Sequence, residues 1–263
     1  MKLKTTLLAS VLAFSGAAMA QTKAPEPDYT VSGNMSLNSD YRFRGFTQTD
    51  YGPALQGGFD FAHKSGYYLG NWNSNVLSPL FTGASLEMDF YGGYKGSFGD
   101  VGYDVGAIYY YYPKSGKNAP NSKIDNSEVY FGLSYGPVSG KLYYATSDYF
   151  DLKKFTPGAR STKGTTYLDL AGNFDLGSGF TLGAHVGILN LKNAGDYSGL
   201  GIARLPSSVT DYKLSITKDV GGFGVTAAYV AASKKGYFTT GQVGVPAEAA
   251  GKGKLVVSVA KTF

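Results

Sequence analysis

Asp40, Arg42 and Arg44 stand two residues apart, and the same spacing logic collects Asp60, Glu87, Asp89, Lys95, Asp104, Glu128, Lys141, Asp169, Asp175 and Lys213. Each falls on the polar phase of a stretch whose alternate positions are apolar. Side chains two apart share one face of an extended strand. Charges of both signs on the inner face of a closed sheet would line a polar bore, where they replace part of an ion's hydration shell and orient a dipolar solute. Arg42 and Arg44 would then form a basic ladder near the outer end of their strand, facing Glu87, Asp89 or Glu128. The same groups could instead pair with one another and stiffen the wall. Spacing alone does not choose between these two outcomes.

Other chemistries find little support. The chain has only two histidines, His63 and His185. His63 falls in a short turn, and His185 falls on a polar phase far along the chain from any nucleophile-like serine motif. There is no Gly-x-Ser-x-Gly, no His/Cys cluster of metal-ligand spacing and no phosphate loop. Asp125-Asn126 and Gly195-Asp196 have calcium-binding residue types but read better as turn residues. The sequence therefore predicts no catalytic residue, no metal and no cofactor.

The elements that must position the charges are strands. From 29 to 43, Tyr29, Val31, Gly33, Met35, Leu37, Ser39, Tyr41 and Phe43 alternate with Thr30, Ser32, Asn34, Ser36, Asn38, Asp40 and Arg42. Every residue of the second set is polar, a period of two that no helix gives. Alternation of varying clarity returns at 55–61, 67–76, 86–95, 101–109, 128–135, 138–146, 168–176, 180–188, 212–220, 223–231 and 253–263, the stretch 67–76 leaving its phase open. The expected architecture is an all-β, antiparallel up-and-down transmembrane barrel of about 12 strands, an even number as in bacterial single-chain barrels.

Connection lengths support it independently. Short turns at 63–66, 96–100, 136–137, 177–179 and 221–222 alternate with long connections at 47–53, 77–83, 113–126, 148–163, 190–208 and 233–252. A membrane barrel with both termini in the periplasm has this rhythm. A soluble sandwich or lipocalin-like barrel shares the period but turns its apolar face inward. The runs Tyr109-Tyr110-Tyr111-Tyr112, Tyr143-Tyr144 and Tyr149-Phe150 favour the membrane version, since they resemble the aromatic girdle of a bilayer interface. Twelve strands about 4.8 Å apart and tilted about 40° give a backbone radius of roughly 12 Å, hence a narrow channel.

Residues 1–20 read as a signal peptide: Lys2 and Lys4, an apolar stretch from about 7 to 18, then Ala18-Met19-Ala20. The apolar part is shorter than a spanning helix needs. Residues 21–28 form a short periplasmic leader and 29–263 the barrel. With 37 Gly, 22 Tyr and no Cys, the exported chain is suited to strands and tight turns and does not rely on disulfides. A formal charge of +5, two units of which leave with the signal peptide, is too small to argue for nucleic acid.

The segments 39–50 and 53–60, SDYRFRGFTQTD and PALQGGFD, resemble the start of the TorF family of porins, a group of Gram-negative bacteria long labelled conserved hypothetical proteins. Leu86-Glu87-Met88-Asp89, Gly102-Tyr103-Asp104-Val105-Gly106 and the tyrosine run resemble it as well. The resemblance implies an outer-membrane location and a pore, and leaves the substrate open. The final segment, 255–263, ends in Phe263 and resembles the signal by which barrels are recognised by the assembly machinery, with Lys261 departing from it.

Together these readings predict an outer-membrane porin for ions or small polar solutes, the alternative being a non-conducting structural or surface-interaction barrel. The expected partners are outer-membrane lipid, lipopolysaccharide, the barrel assembly machinery and the solutes. Lys114, Lys117, Lys123, Lys153, Lys154, Arg160, Lys163, Lys192, Arg204, Lys234, Lys235 and Lys252 in the long connections either contact lipid phosphates or form a solvated rim.

Overall fold

The computed structural model describes residues 27–116, 123–155, 158–196, 206–234, 239–240 and 248–263. The signal peptide at 1–20 and residues 21–26 of the leader lie outside these, as do Lys117, Arg204 and Lys235.

Twelve antiparallel strands close into one barrel. They are β1 (Tyr29–Asn38), β2 (Ala54–His63), β3 (Tyr67–Asn75), β4 (Leu86–Phe98), β5 (Val101–Tyr111), β6 (Asn126–Tyr135), β7 (Val138–Ala145), β8 (Thr166–Gly177), β9 (Phe180–Asn190), β10 (Ser208–Val220), β11 (Phe223–Ala232) and β12 (Lys254–Thr262). Each pairs with its sequence neighbours, and β12 closes on β1 with Asn34 opposite Thr262 and Asn38 opposite Ser258. Gly33 and Phe263 exchange two backbone hydrogen bonds at that seam, 3.1 and 2.8 Å long. Closure leaves no unpaired edge.

The alternation sets which way each strand faces. Val31, Met35 and Leu37 of β1 point outward, as do Phe59, Leu69, Phe131, Leu142, Leu214, Tyr229 and Leu255, each about half exposed or more. A soluble barrel would hide these residues, so the sandwich and lipocalin alternatives fail on their orientation. A belt of this size is far larger than the apolar patches soluble proteins carry, and it suits hydrocarbon. The outward cations Lys218 and Lys261 sit near the turn end, over the rings of Phe180 and Phe223 at 4.2 and 4.3 Å. Long basic side chains keep their heads at an interface in this way.

Two expectations need correction. The first strand ends at Asn38, not at Phe43, because the chain turns into the barrel. Arg42 pairs with Thr47 and Phe43 with Phe46 in a two-residue ladder, across a reversal in which Arg44 has φ 47° and Gly45 φ 84°. A Cβ at Gly45 would lie 2.6 Å from the Asp211 Cβ, so this turn requires glycine. Polar alternation persists beyond Asn38 in the sequence, but there it serves the loop's own hydrogen bonds.

The tyrosine runs also divide. Tyr109, Tyr111 and Tyr144 face outward, whereas Tyr110, Tyr112 and Tyr149 are buried. The buried rings meet inside the barrel: Phe150 lies 5.7 Å from Phe43, 5.5 Å from Tyr110 and 4.8 Å from Tyr149. The apolar core of the molecule is therefore a plug of aromatic and small residues at the loop end. Part of the supposed girdle is that plug.

Candidate functional site in the lumen

The plug is anchored on a buried charge. Glu128 on β6 points inward with its side chain 1% exposed. Arg44 reaches it from the 39–53 connection and donates two hydrogen bonds, Nη1 to Oε1 at 3.0 Å and Nη2 to Oε2 at 2.7 Å. Nη1 also donates to the Tyr149 hydroxyl at 2.8 Å, and the Tyr110 hydroxyl donates to Glu128 at 3.2 Å. The guanidinium lies 4.2 Å from the Tyr167 ring centre and 4.8 Å from that of Phe43. A buried charge needs a partner and filled hydrogen bonds to persist, and Arg44 has both. On β4, Glu87 accepts from the Tyr41 hydroxyl at 2.8 Å, with Asp89 buried one rung deeper.

Arg42 has a different role. It pairs with Asp40, whose carboxylate also accepts the Thr47 hydroxyl at 2.5 Å and the Thr49 hydroxyl at 3.3 Å. Its Nη1 donates to the carbonyls of Gly45, Ala250 and Lys252 at 3.1 to 3.3 Å. Arg42 thus ties the infolded loop to the 233–253 connection. The expected two-step ladder does not form: Arg42 and Arg44 both reach the lumen, but from a loop and toward different partners.

Toward the turn end a second polar network spans the bore. The Tyr68 hydroxyl lies 2.6 Å from Asp104 Oδ1 and 2.5 Å from the Tyr130 hydroxyl, and Lys141 Nζ donates to Asp104 Oδ2 at 2.7 Å. Lys95 sits 4.5 Å over the Tyr68 ring. Asp60 accepts from the Tyr91 hydroxyl at 2.5 Å and from Asn34 at 3.2 Å. On the other wall, His185 lies between carboxylates, with Nδ1 3.2 Å from Asp169 and Nε2 2.9 Å from Asp211. Tyr167 donates to Asp211 at 3.1 Å.

Of the thirteen charged residues predicted to line the bore, ten lie on strands as expected, and Asp40, Arg42 and Arg44 lie on the infolded loop. Sequence reasoning missed Asp211 and the tyrosines. Asp211 continues the inward phase of Lys213 on β10, so one more step of alternation would have found it. Tyr110 and Tyr167 also sit on inward phases. Nothing local marks Tyr149, which reaches the site only through loop folding.

Beneath the plug lies a cavity of about 450 Å³, lined on one side by Tyr167, Asp169, His185, Asp211 and Lys213 and on the other by Ala228, Val230, Val256 and Ser258. Large rings occupy the β3–β8 side of the lumen. Alanine, valine and serine line the β11–β12 side, so the remaining space is off-centre.

Loop 146–165 supports the plug from outside the strands. Asp148 accepts from the Ser161 hydroxyl at 2.5 Å and from the backbone N–H groups of Thr162 and Lys163 at 2.7 and 3.4 Å. Partial burial alone would raise this carboxyl, but those hydrogen bonds and the charge of Lys153 outweigh it and hold it below the ordinary range. A depressed carboxyl stabilises the fold above its unfolded value and ceases to do so as pH falls through its folded one. Protease cleavage within 146–165 should therefore rise several-fold in Asp148→Asn at neutral pH. In the wild type it should rise only below about pH 3.8, the usual aspartate range. Equal cleavage of variant and wild type would show that Asp148 does not organise the loop. Asp125, one of the calcium candidates, accepts from Tyr109 and from the Tyr112 N–H as a turn residue would.

A closed twelve-stranded barrel with an apolar exterior and a charged, partly filled lumen has the fold of the porin class. Residues 22–263 match the family described as bacterial protein of unknown function, Gcw_chp, and the chain belongs to that family. Among solved structures, the NanC porin is similar with a TM-score of 0.51 at 8% identity, over 89% of this chain and 98% of that one. Acinetobacter baumannii OccAB2 and OccAB3 follow with TM-scores of 0.43 and 0.42 at 11% and 12% identity. They cover 92% and 91% of this chain and 66% and 65% of their own. No curated protein matches the chain.

Proposed function

We propose that the protein is a non-enzymatic outer-membrane channel for ions or small polar solutes, narrowed at its loop end by residues 39–53. The observation that carries this reading is the combination of outward apolar belt and inward charge, with open space beside the plug. About 450 Å³ remains open between charged and small-residue walls. The TorF resemblance of the 39–60 segment and the fold of the NanC porin support the same reading. The signal peptide, the bore-lining roles of the thirteen charged residues and recognition of the Phe263 strand by assembly machinery belong to this proposal. So do lipopolysaccharide contacts by the loop lysines.

Liposome swelling tests it. Vesicles holding the folded protein should swell in glycine and in glucose but not in a trisaccharide such as raffinose. No swelling in any solute would favour the non-conducting barrel, to which the Arg44–Glu128 and Lys141–Asp104 pairs already lend support. Free entry of raffinose would show that the loop does not narrow the bore.

A further inference from the structure

We infer that Phe150 is a strained latch on the plug, whose ring withdraws from the 39–53 connection to open a path from the loop end into the cavity beneath. A conflict between backbone and side chain carries this inference. Phe150 and Asp151 are successive non-glycine residues in the left-handed region, with φ 44° and 53°. That backbone crowds the Cβ against the following carbonyl, and bulky residues rarely adopt it. Such conformations persist where packing forces them, and they gather at switches.

Here the packing comes from one ring. Phe150 meets Phe43 of the 39–53 connection at 5.7 Å, Tyr110 at 5.5 Å, Tyr112 at 6.2 Å and Tyr149 at 4.8 Å between ring centres. The buried apolar residues of the plug form two groups, one around Tyr149, Leu152 and Tyr167 and the other around Tyr41, Tyr110 and Tyr112, and partly buried Phe150 packs against both. Phe43 and Tyr110 also line the cavity beneath the plug, so the ring stands behind two of the side chains that close it. Its neighbours are held more firmly. The Tyr149 N–H donates to the Thr162 hydroxyl at 2.8 Å and the Tyr149 hydroxyl accepts from Arg44, while Leu152 is buried. Strain therefore concentrates at 150–151, where relaxation withdraws the ring and leaves Tyr149 on Arg44. The contacts of a partly buried phenyl ring and the cost of two left-handed residues are of the same order, so the docked state is only modestly favoured. This inference takes its purpose from the channel reading, but movement of the ring does not require that the barrel conduct.

Glycine adopts left-handed backbone freely and valine resists it, so substitutions at Asp151 change the strain without touching the ring. Asp151→Gly should favour the docked state about fivefold and Asp151→Val the withdrawn state by a similar factor, while Phe150→Ala removes the latch. Hydrogen exchange of the folded protein in detergent reads the state without conduction. The Asp151 N–H, which donates to the Asp148 carbonyl at 3.0 Å, is the reporter. Its protection, or that of the amide at 151 in the variants, should rise in Asp151→Gly and fall in Asp151→Val and Phe150→Ala. Lys154→Gln breaks the surface ion pair that both Asp151 variants lose and should leave protection unchanged. Equal protection of the strand amides in all variants certifies the barrel. In planar bilayers the wild type should hold its narrow level with brief excursions to a larger one, longer in Asp151→Val and rarer in Asp151→Gly. A glycine that merely loosens the loop would lower protection, so exchange in Asp151→Gly as fast as the wild type's or faster would overturn the inference. Phe150→Ala protected like the wild type, or conducting channels whose excursions do not follow that order, would overturn it too. The expected order of protection in a barrel that passes no current would overturn the channel reading alone.

Discussion

Replacing Arg44 with methionine should lower stability by about 3–5 kcal/mol and raise conductance several-fold. The cost follows from Glu128. Without the guanidinium, a carboxylate 1% exposed keeps, among the described residues, only the Tyr110 hydroxyl, and an uncompensated buried charge costs that much. The gain in conductance follows from the loop. Residues 39–53 enter the barrel through the Arg44–Glu128 pair, the rings around it and the Gly45 turn, so losing the pair releases its deepest anchor. The double variant Arg44→Met/Glu128→Met should recover most of the stability, because an apolar pair of similar volume replaces an ion pair at little net cost. Thermal unfolding in detergent and single-channel recording read the two effects separately. An Arg44→Met protein that melts like the wild type would show that the pair is no anchor. Unchanged conductance would show that the loop is no constriction.

The second large effect concerns the outer face. Leu214 points outward near the middle of β10, opposite Ala184 and Tyr229, and is 58% exposed. In a bilayer, Leu214→Arg should cost about 2–4 kcal/mol, the depth-dependent penalty for arginine facing lipid. Ser215→Arg, one residue on and facing the lumen, should cost less than about 1 kcal/mol, since its charge meets water. Folding equilibria in lipid vesicles measure both. The pair separates membrane from water with unusual clarity, because on a water-soluble barrel the Leu214 substitution would be close to neutral. Similar costs for the two variants would contradict the orientation of the strands.

Strand number, facing and closure were legible in the sequence because each depends on a local signal. Period two sets the facing of Met35, Phe59 and Leu214, and the alternation of short turns with long connections sets the count. The plug was not legible, for a physical reason. Polar alternation continues from Asn38 through Asp40 to Arg42, so pattern alone extends the strand. What ends it is the reversal at Arg44 and Gly45, whose glycine is required by Asp211, a residue about 170 positions away. Contacts of that range leave no trace in local periodicity. The same limit applies to the tyrosines. Tyr109 and Tyr110 are neighbours in one run, yet one meets the exterior and the other Glu128, a division that parity gives only once the strand's register is known. Arg44 was singled out with Glu128 among its possible partners, but the sequence placed it on a strand beside Arg42 when its function depends on leaving that strand.

Single-channel recording in a planar bilayer bears most directly on the central claim that this barrel conducts through a loop-narrowed bore. Discrete, uniform steps are expected from the wild-type protein, small beside those of a wide general porin, with larger steps from Arg44→Met in the same membrane. A correctly folded wild type that gives no steps, with Arg44→Met equally silent, would contradict the channel and leave a closed, structural barrel.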